Sequence, residues 1–323
     1  MAAMKFSVGG SGGLGWQGHV DVAAALEELG YYGFYPSDHL MPIVDRGGDQ
    51  DRLDAPSALL ALSGRTTRLR LGCMVQANLL RHPVITAMMV NTLDHASNGR
   101  AELGIGAGGN RREYDIHGFP YPDTVEERIA RLDEAVGLIT TLWANERTTF
   151  EGQYYRVHDA PFFPKPIQQP HPHIFIGGMH VGTMRVAAKF ADEWNALGAL
   201  KEVESRRERM RGLCDEVGRD FEKLQISKQG AFLLTDDRAE AQRFIDRQIS
   251  HLTANPSFKL PAGYTSPEEL AREAHFVGSS SELVELIGRW REIGVHHLNF
   301  QTPRPFKRDM LERFAAEVMP SFS

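Results

Sequence analysis

The chain has only two cysteines, Cys73 and Cys214, in 323 residues. Two thiols cannot build a disulfide framework or a four-cysteine metal site. Such sparse use of cysteine is typical of a reducing compartment, so we expect a cytoplasmic protein.

Basic residues are not in excess, because 36 Lys and Arg stand against 42 Asp and Glu and give a formal net charge of -6. This balance provides no electrostatic footprint for nucleic acid or for an anionic membrane. No hydrophobic run approaches the roughly 20 residues that span a bilayer. The stretch Met1 to Gly13 lacks the charged start and cleavage site of a signal peptide. We therefore expect neither nucleic acid nor a membrane as a partner.

Motifs for metal binding and for covalent catalysis are also missing. The histidine pairs His171/His173 and His296/His297 have no cysteine or carboxylate neighbours at metal-ligand spacing. The sequence contains no G-x-S-x-G nucleophile elbow and no Walker loop. These absences predict no metal site and argue against serine hydrolase and P-loop chemistry.

What the chain does contain is an alternation of short apolar runs with longer stretches of helical periodicity. The pattern predicts strands near Lys5–Val8, Gly33–Pro36, Leu69–Met74, Ala101–Gly106, Ile174–Gly177, Glu193–Ala196, Gln225–Leu233 and His297–Phe300. It predicts helices over His19–Leu29, Pro56–Thr66, Pro83–His95, Val125–Trp143, Val181–Phe190, Val203–Val217, Ala239–Ile249 and Ser281–Ile293. Eight such units favour an α/β fold of the (β/α)8 TIM barrel type over a doubly wound sheet, although periodicity does not show closure and two smaller domains would also fit the length.

Two segments interrupt this alternation. Thr148–Val157 predicts a β-hairpin before strand five, and a proline-rich linker follows it. Leu252–Phe276, after strand seven, is longer than an ordinary connector. We expect both to be insertions in one domain that covers residues 1–323.

Asp38 and His39 follow the apolar run Tyr31–Tyr35. Both would emerge at the carboxyl end of strand two, the face on which barrel enzymes build their sites. Histidine exchanges a proton near neutral pH, as a redox reaction at a carbonyl or imine requires. The structural alternative is a loop histidine that caps a helix or packs on Tyr35.

Residues without bulky side chains follow strand four, at Gly106, Ala107 and Gly108. Their spacing is not that of the G-x-G-x-x-G dinucleotide motif. Small residues do, however, let a planar ring or a ribityl chain approach the backbone closely. The segment is therefore a candidate cofactor-binding surface.

A strand, a glycine turn and a helix follow one another at Ile176, Gly177, Gly178 and Met179. The free N–H groups of a helix start and its dipole suit a phosphate, and Thr183 could add a hydroxyl. A tight turn that requires glycine for its own geometry is the alternative.

A series of short motifs follows in a specific order along nearly the whole chain. They are Ser37-Asp38-His39, Arg68-Leu69-Arg70-Leu71-Gly72, Arg81-His82-Pro83, Thr92-Leu93-Asp94, Asn98-Gly99-Arg100, Leu103–Gly108, Glu113-Tyr114, Glu127-Arg128, Arg131–Glu134 and Ile176-Gly177-Gly178. Together they resemble the bacterial luciferase-like family of flavin and deazaflavin oxidoreductases, whose fold is a (β/α)8 barrel. Asn98–Gly108, Phe150–Tyr155 and Cys214–Asp220 are similar to its actinobacterial subgroup, which is expected to use coenzyme F420, a deazaflavin.

The resemblance implies roles for several of these residues. His39 would face the reactive edge of the cofactor ring as a catalytic residue, with Asp38 nearby. Gly72, Cys73 and Met74 would lie behind the ring, with a cis peptide bond between Cys73 and Met74. An ordinary strand end, with Cys73 as a small buried hydrophobic residue, is the alternative. The phosphate site of the family would fall on the Ile176–Met179 segment.

Gly109 stands where many members of the family carry Trp or Glu. In the family's sugar-phosphate dehydrogenases this position supplies a catalytic acid, so glycine argues against that reaction here. Glu113 is the nearest remaining carboxylate and a candidate catalytic residue, and a solvent-facing Glu at a helix start is the alternative.

The leading functional hypothesis is an oxidoreductase that transfers a hydride between coenzyme F420 and a small organic substrate. The alternatives are an FMN-dependent monooxygenase, in which His39 would stabilise a peroxyflavin, and a flavin-binding protein without catalysis. We expect Leu40–Asp54 and Leu252–Phe276 to determine the substrate. By analogy with relatives, we also expect a homodimer.

Overall fold

The computed structural model describes residues 3–10, 13–42, 51–255, 258–302 and 306–323. Within these ranges the strands are β1 (Lys5–Gly9), β2 (Gly33–Tyr35), β3 (Arg70–Leu71), β4 (Gln76–Ala77), β5 (Glu102–Gly106), β6 (Arg147–Glu151), β7 (Arg156–Pro161), β8 (His173–Gly177), β9 (Glu193–Ala196), β10 (Gln225–Leu234), β11 (Phe276–Gly278) and β12 (His297–Gln301). The helices are α1 (Gly15–Glu28), α2 (Ala55–Ser63), α3 (Pro83–Ala96), α4 (Arg111–His117), α5 (Val125–Ala144), α6 (Val181–Phe190), α7 (Leu200–Glu216), α8 (Arg238–Thr253), α9 (Pro267–Ala274), α10 (Ser280–Glu292) and α11 (Arg308–Glu317). None of these helices has both the length and the apolar character needed to cross a bilayer.

The main sheet is parallel and curls on itself. Its strands pair in the order β3-β2-β1-β12-β10-β9-β8-β5-β4. The two ends of this order, β3 and β4, are consecutive pieces of one run of chain, and they pair with β2 and β5 respectively. A parallel bridge between Leu71 and Ala101 joins the start of that run to the residue before β5. One stretch of chain therefore connects the two edges, and the expected α/β fold with a curled parallel sheet is observed.

Side chains of successive strand residues point alternately outward, towards the helices, and inward, towards the interior of the curled sheet. On β1, Phe6 packs edge-to-face on Phe314 of α11 at 5.1 Å between ring centroids. The next residue, Ser7, points inward and lies 2.7 Å from Nε2 of His297. The main apolar core thus lies between the sheet and the helices, and the interior of the sheet holds polar groups together with a small apolar cluster of Tyr35, Met74 and Phe175.

The amino ends of the strands are closed by buried charged groups. Glu102 accepts hydrogen bonds of 2.8 Å from Arg70, Tyr32 and Tyr35. Glu193 lies 3.0 Å from Nδ1 of His297, and both side chains are 1% exposed. This network of described residues fills one end of the sheet with paired charged and polar groups.

Several sequence predictions are confirmed in detail. The helix predicted at Val181–Phe190 has those bounds. The glycines after the predicted helices Val203–Val217 and Ser281–Ile293, Gly218 and Gly294, have φ of 71° and 84°, the left-handed conformation in which glycine commonly ends a helix. The predicted hairpin is the antiparallel pair β6–β7.

The third predicted strand, Leu69–Met74, is wrong in its bounds. Only β3 lies within that range, β4 begins after it, and the cis peptide bond joins Met74 to Val75 rather than Cys73 to Met74. The backbone at Cys73 still packs tightly against β5, since a Cβ on Gly104 would lie 2.0 Å from the Cys73 carbonyl oxygen. The regular strand therefore ends at Leu71, before the predicted end at Met74.

Other elements were not predicted, namely α4, α9, α11 and β11. The helix expected from Ser281 is capped earlier, by Ser279 and Glu282 in a capping box. Residues 43–50 of the predicted substrate loop, and residues 256–257 of the predicted second insertion, lie outside the described residues.

Candidate active site

A cavity of about 520 Å³ opens at the carboxyl ends of the strands. Its walls come from the ends of β2, β4, β5, β8, β9 and β10 and from the first turns of α4, α5 and α6. The predicted site residues that line it are His39, Met74, Gly106, Ala107, Gly108, Glu113, Gly177, Gly178, Met179 and Thr183. Residues from five separate parts of the chain thus meet on the face that the strand ends predicted.

Four predicted site residues do not line the cavity among the residues described. Cys73 and Ile176 are fully buried in the core between sheet and helices, because their strand positions face outward. Gly72 is packed against β5, where a Cβ would lie 2.8 Å from the Glu102 carbonyl oxygen. Asp38 is buried and directed at Arg81, and its place near the cofactor ring stays a prediction.

His39 and Glu113 form a pair at one end of the cavity. Nδ1 of His39 lies 2.9 Å from Oε2 of Glu113, and the two side chains are 21% and 1% exposed. A carboxylate only accepts hydrogen bonds, so Nδ1 is assigned as the donor and Nε2 is left for a ligand. The Leu40 backbone N–H donates to the other carboxylate oxygen. The alternative of a solvent-facing Glu113 is therefore wrong.

Several groups determine the ionisation of Glu113. Burial by itself would raise the pKa of this carboxyl group. The hydrogen bond from His39 and those from the backbone of Leu40 and Met41 outweigh burial and leave the pKa below its usual value. Glu113 is thus an anion that orients the imidazole of His39.

Asp38, the residue before His39, is fixed by an ion pair. Its carboxylate accepts hydrogen bonds of 2.6 and 3.1 Å from Arg81 and one of 3.3 Å from the Ala77 backbone N–H. Arg81 also binds Asp54, the N-cap of α2. Burial raises the pKa of Asp38, and Arg81 opposes that shift. Arg81 therefore links the segment that carries His39 to both β4 and α2.

Glycines at two strand ends form a narrow slot around Val75. A Cβ on Gly106 would lie 2.9 Å from Cγ2 of Val75, and a Cβ on Gly177 would lie 3.1 Å from its Cγ1. A Cβ on Gly109, by contrast, would meet no atom within 4 Å. Gly106 and Gly177 therefore make room for the Val75 side chain, and the backbone is open to the cavity at Gly109. A cavity wall with so few side chains suits the planar ring of a flavin or deazaflavin.

The turn before α6 has the geometry of an anion site. Gly178 has φ of 148°, and a Cβ there would lie 2.7 Å from Cγ2 of Thr183. Nε1 of Trp194 donates a 2.9 Å hydrogen bond to the Gly178 carbonyl, which fixes the turn. His180 caps the helix by accepting the N–H of Gly182. The first turn of α6 then offers its N–H groups and its positive dipole end to the cavity.

The sequence did not single out other lining residues, among them Tyr114 on α4 and Arg128 on α5. Both occur in the motif series, Tyr114 beside Glu113 and Arg128 beside Glu127, and this was their only signal. Neither follows a strand, so the strand-end argument could not find them.

The curled parallel sheet, with a glycine slot, an anion turn and a histidine at its carboxyl ends, defines a barrel-like enzyme of the flavin-binding class. Solved structures with the same fold include an F420-dependent secondary alcohol dehydrogenase (TM-score 0.84, 18% identity, all of both chains). A monooxygenase from Streptomyces bottropensis is also similar (TM-score 0.78, 21% identity, 99% of this chain and all of the other). At these identities the likeness shows the fold alone.

Residues 2–297 match the luciferase-like monooxygenase family, and the chain belongs to that family. An F420-dependent glucose-6-phosphate dehydrogenase from Intrasporangium calvum is 32% identical over 93% of each chain. The enzyme of that name from Kineococcus radiotolerans is 31% identical over 93% of this chain and 91% of its own.

Proposed function

We propose that the protein is an oxidoreductase that exchanges a hydride between coenzyme F420 and a small organic substrate. The observation that carries the proposal is the pair of His39 and Glu113 at the end of a glycine-lined slot. The curated relatives named above are F420-dependent, which supports a deazaflavin rather than FMN.

Each residue of the pair has a separate part in this proposal. Nε2 of His39 donates or accepts the proton that balances hydride transfer at a carbonyl or alcohol carbon. Glu113 is a positioning residue that holds the imidazole through Nδ1. Asp38 acts one step further away, by anchoring the backbone next to His39 to Arg81. The hydride chemistry itself is supplied by the deazaflavin when it is bound.

The cofactor would be held by backbone surfaces rather than by large side chains. Gly106, Ala107 and Gly108 would cover one side of the ring, and the Met74–Val75 segment would support it. Gly177, Gly178 and Met179, together with the Thr183 hydroxyl, would bind the phosphate at the start of α6. The glycine-rich cavity wall and the helix dipole, which are independent features of the fold, both support this assignment.

The substrate class follows from a missing carboxylate. Gly109 lines the cavity without a side chain, and the space beside it is empty. A sugar-phosphate oxidation that needs an acid at this position has none here. We therefore propose an alcohol, imine or enone substrate rather than glucose 6-phosphate.

A binding titration tests the proposal first. The purified chain would be titrated with oxidised F420 and with FMN, with binding followed by fluorescence or heat. Tight binding of F420 and weak binding of FMN is the expected result. The reverse result, together with oxygen consumption on supplied reduced FMN, would move the protein to the monooxygenase class. Binding of F420 without turnover of any alcohol, imine or enone would favour a flavin-binding protein that is not an enzyme.

We also propose that the chain forms one (β/α)8-barrel domain, with β6–β7 and the segment after β10 as insertions. A homodimer is proposed as its assembly state. Ile85 and Met88 on α3, which are 49% and 53% exposed, supply an apolar surface for such contact. Light scattering on the purified chain would measure the mass.

A further inference from the structure

Arg128 on α5 lines the cavity beside the glycine turn that precedes α6. No other residue that lines the cavity in the described ranges is an arginine or a lysine. The neighbouring Ile129 contacts the start of α6, because a Cβ on Gly182 would lie 3.1 Å from its side chain. Arg128 is thus a cavity-lining residue on the helix that packs against the start of α6, and its guanidinium group lies 4.7 Å from the centroid of the Tyr121 ring.

The guanidinium group of Arg128 has no ionic partner among the described residues. No carboxylate lies within 4.0 Å of it in the part of the chain that the structure describes, although most other arginines have one there. Nη1 donates to the carbonyls of Pro122 and Thr124, at 3.3 and 3.2 Å. Nε is buried without an acceptor among the described residues. A buried charged donor without an acceptor is costly, so the group is not placed there by the contacts of the described residues alone.

A second unpaired donor lies close to Arg128. Tyr114 lines the cavity and is fully buried, and its hydroxyl has no partner among the described residues. Tyr114 and Arg128 both contact the Tyr121 ring, at 4.9 Å between ring centroids and 4.7 Å from the guanidinium carbon. Burial raises the pKa of Tyr114, so its hydroxyl keeps the proton that it can donate.

We infer that Arg128 and the Tyr114 hydroxyl form a subsite for the anionic side chain of the cofactor, opposite the N–H groups of the α6 turn. This inference rests on the proposed function, since the anion belongs to the deazaflavin. The two donors lie on α4 and α5, so the subsite joins elements that do not belong to the strand ends. It gives the anion a charged partner in addition to the uncharged backbone turn.

The test compares two ligands on matched variants. The ligands are F420 and the deazaflavin that carries only ribitol, without the phosphate-bearing chain. Arg128→Gln should raise the Kd of F420 about tenfold or more, and Tyr114→Phe about fivefold. Neither variant should change the Kd of the phosphate-free compound more than about twofold. Arg131→Gln, one turn along α5 and already paired with Glu127, is the control and should change neither value.

Salt dependence of the unaltered protein provides a measurement that needs no variant. Binding of F420 should weaken as ionic strength rises, binding of the phosphate-free compound should not, and Arg128→Gln should reduce the difference. Equal loss of both ligands in Arg128→Gln, or an unchanged F420 Kd, would overturn the subsite. Equal affinity of the unaltered protein for both ligands would also overturn it while leaving the proposed function in place. Failure of the unaltered protein to bind either deazaflavin would instead refute the proposed function.

Discussion

Arg81 donates two hydrogen bonds to the Asp38 carboxylate, and the two side chains are 15% and 3% exposed. The pair joins the segment after β2 to the segment after β4. Asp38 thus anchors the backbone next to the catalytic candidate His39, and it is not among the described residues that line the cavity.

Arg81→Met should destabilise the fold by about 3–5 kcal/mol at pH 7, because it leaves a buried carboxylate without its partner. This loss of stability should decrease as the pH falls towards 5, because a larger fraction of Asp38 is then protonated and uncharged. Burial already raises the pKa of Asp38 in the unaltered chain. Urea unfolding of the variant and of the unaltered chain at both pH values measures this difference in the free energy of unfolding. The exposed pair of Arg147 and Asp159 supplies the control, and Arg147→Met should cost under about 1 kcal/mol. An Arg81→Met loss no larger than the control, or one independent of pH, would contradict this account.

Glu113→Gln should lower kcat about 10- to 100-fold and leave the Kd of F420 within about twofold, because it weakens the orientation of His39 without touching the glycine slot. Glu113→Asp should recover part of the loss, since the charge returns. Steady-state kinetics measure kcat, and the titration described above measures the Kd of F420.

Glu134→Gln is a suitable control for that experiment. Glu134 accepts backbone N–H groups of Gln153 and Tyr154 at 2.8 Å, away from the cavity. Its loss should lower stability and leave kcat unchanged. If Glu113→Gln behaves as this control does, Glu113 does not position the histidine.

Gly106→Ala should raise the Kd of F420 about tenfold or more. The added methyl group lies 2.9 Å from Val75 and displaces the Val75 side chain into the space where the ring is proposed to bind. Gly109→Ala adds the same methyl group to open space and should leave the Kd within about twofold. Fluorescence titration of the two alanine variants compares them directly. Equal effects would show that the slot around Val75 is not where the ring binds.

Lys228 should make stability increase with pH. The side chain is buried, its Nζ lies 5.5 Å from the Trp290 ring centroid, and burial lowers its pKa to about 7. Unfolded lysine keeps its proton up to about pH 10.4, so between these values the unfolded chain binds more protons and a rise in pH favours folding.

Lys228→Met should therefore be more stable than the unaltered chain by about 1–3 kcal/mol at pH 6.5, with the gain shrinking towards pH 10. Urea unfolding midpoints at the two pH values measure the change. Lys189→Met removes a partly exposed lysine paired with Asp133 and should show no such dependence on pH. A gain that stays constant from pH 6.5 to pH 10 would refute the buried charge.

Local sequence patterns predicted the regular elements well and the irregular ones poorly. The helix α6 has apolar residues at helical spacing between a histidine cap and an alanine, and its bounds were predicted correctly. The helix α4 has seven residues, and those it buries are Glu113 and Tyr114, so no apolar stripe announces it. The break between β3 and β4 depends on contacts with β5. Contacts between residues far apart in the chain leave no local pattern in the sequence.

The candidate site divides in the same way. His39 and the glycines could be found because they follow strands whose carboxyl ends meet. Arg128 and Arg131 look alike in the sequence, since both lie on one helix near Glu127. Only the packing of α5 directs Arg128 to the cavity and leaves Arg131 to its acidic neighbour. The distinction is made by tertiary structure.

The run of chain that contains β3 and β4 connects the two edges of the sheet, and its middle, Met74 and Val75, lies against the slot. A substitution at Met74 or Val75 would therefore change both the joining of the two sheet edges and the affinity for a ligand. Neither property can change alone at these two positions. Positions such as Gly109 and Leu197 line the cavity without closing the sheet. New substrate preferences can therefore evolve at positions such as Gly109 and Leu197 while Met74 and Val75 stay unchanged. A directed-evolution library is best placed at positions of the first kind.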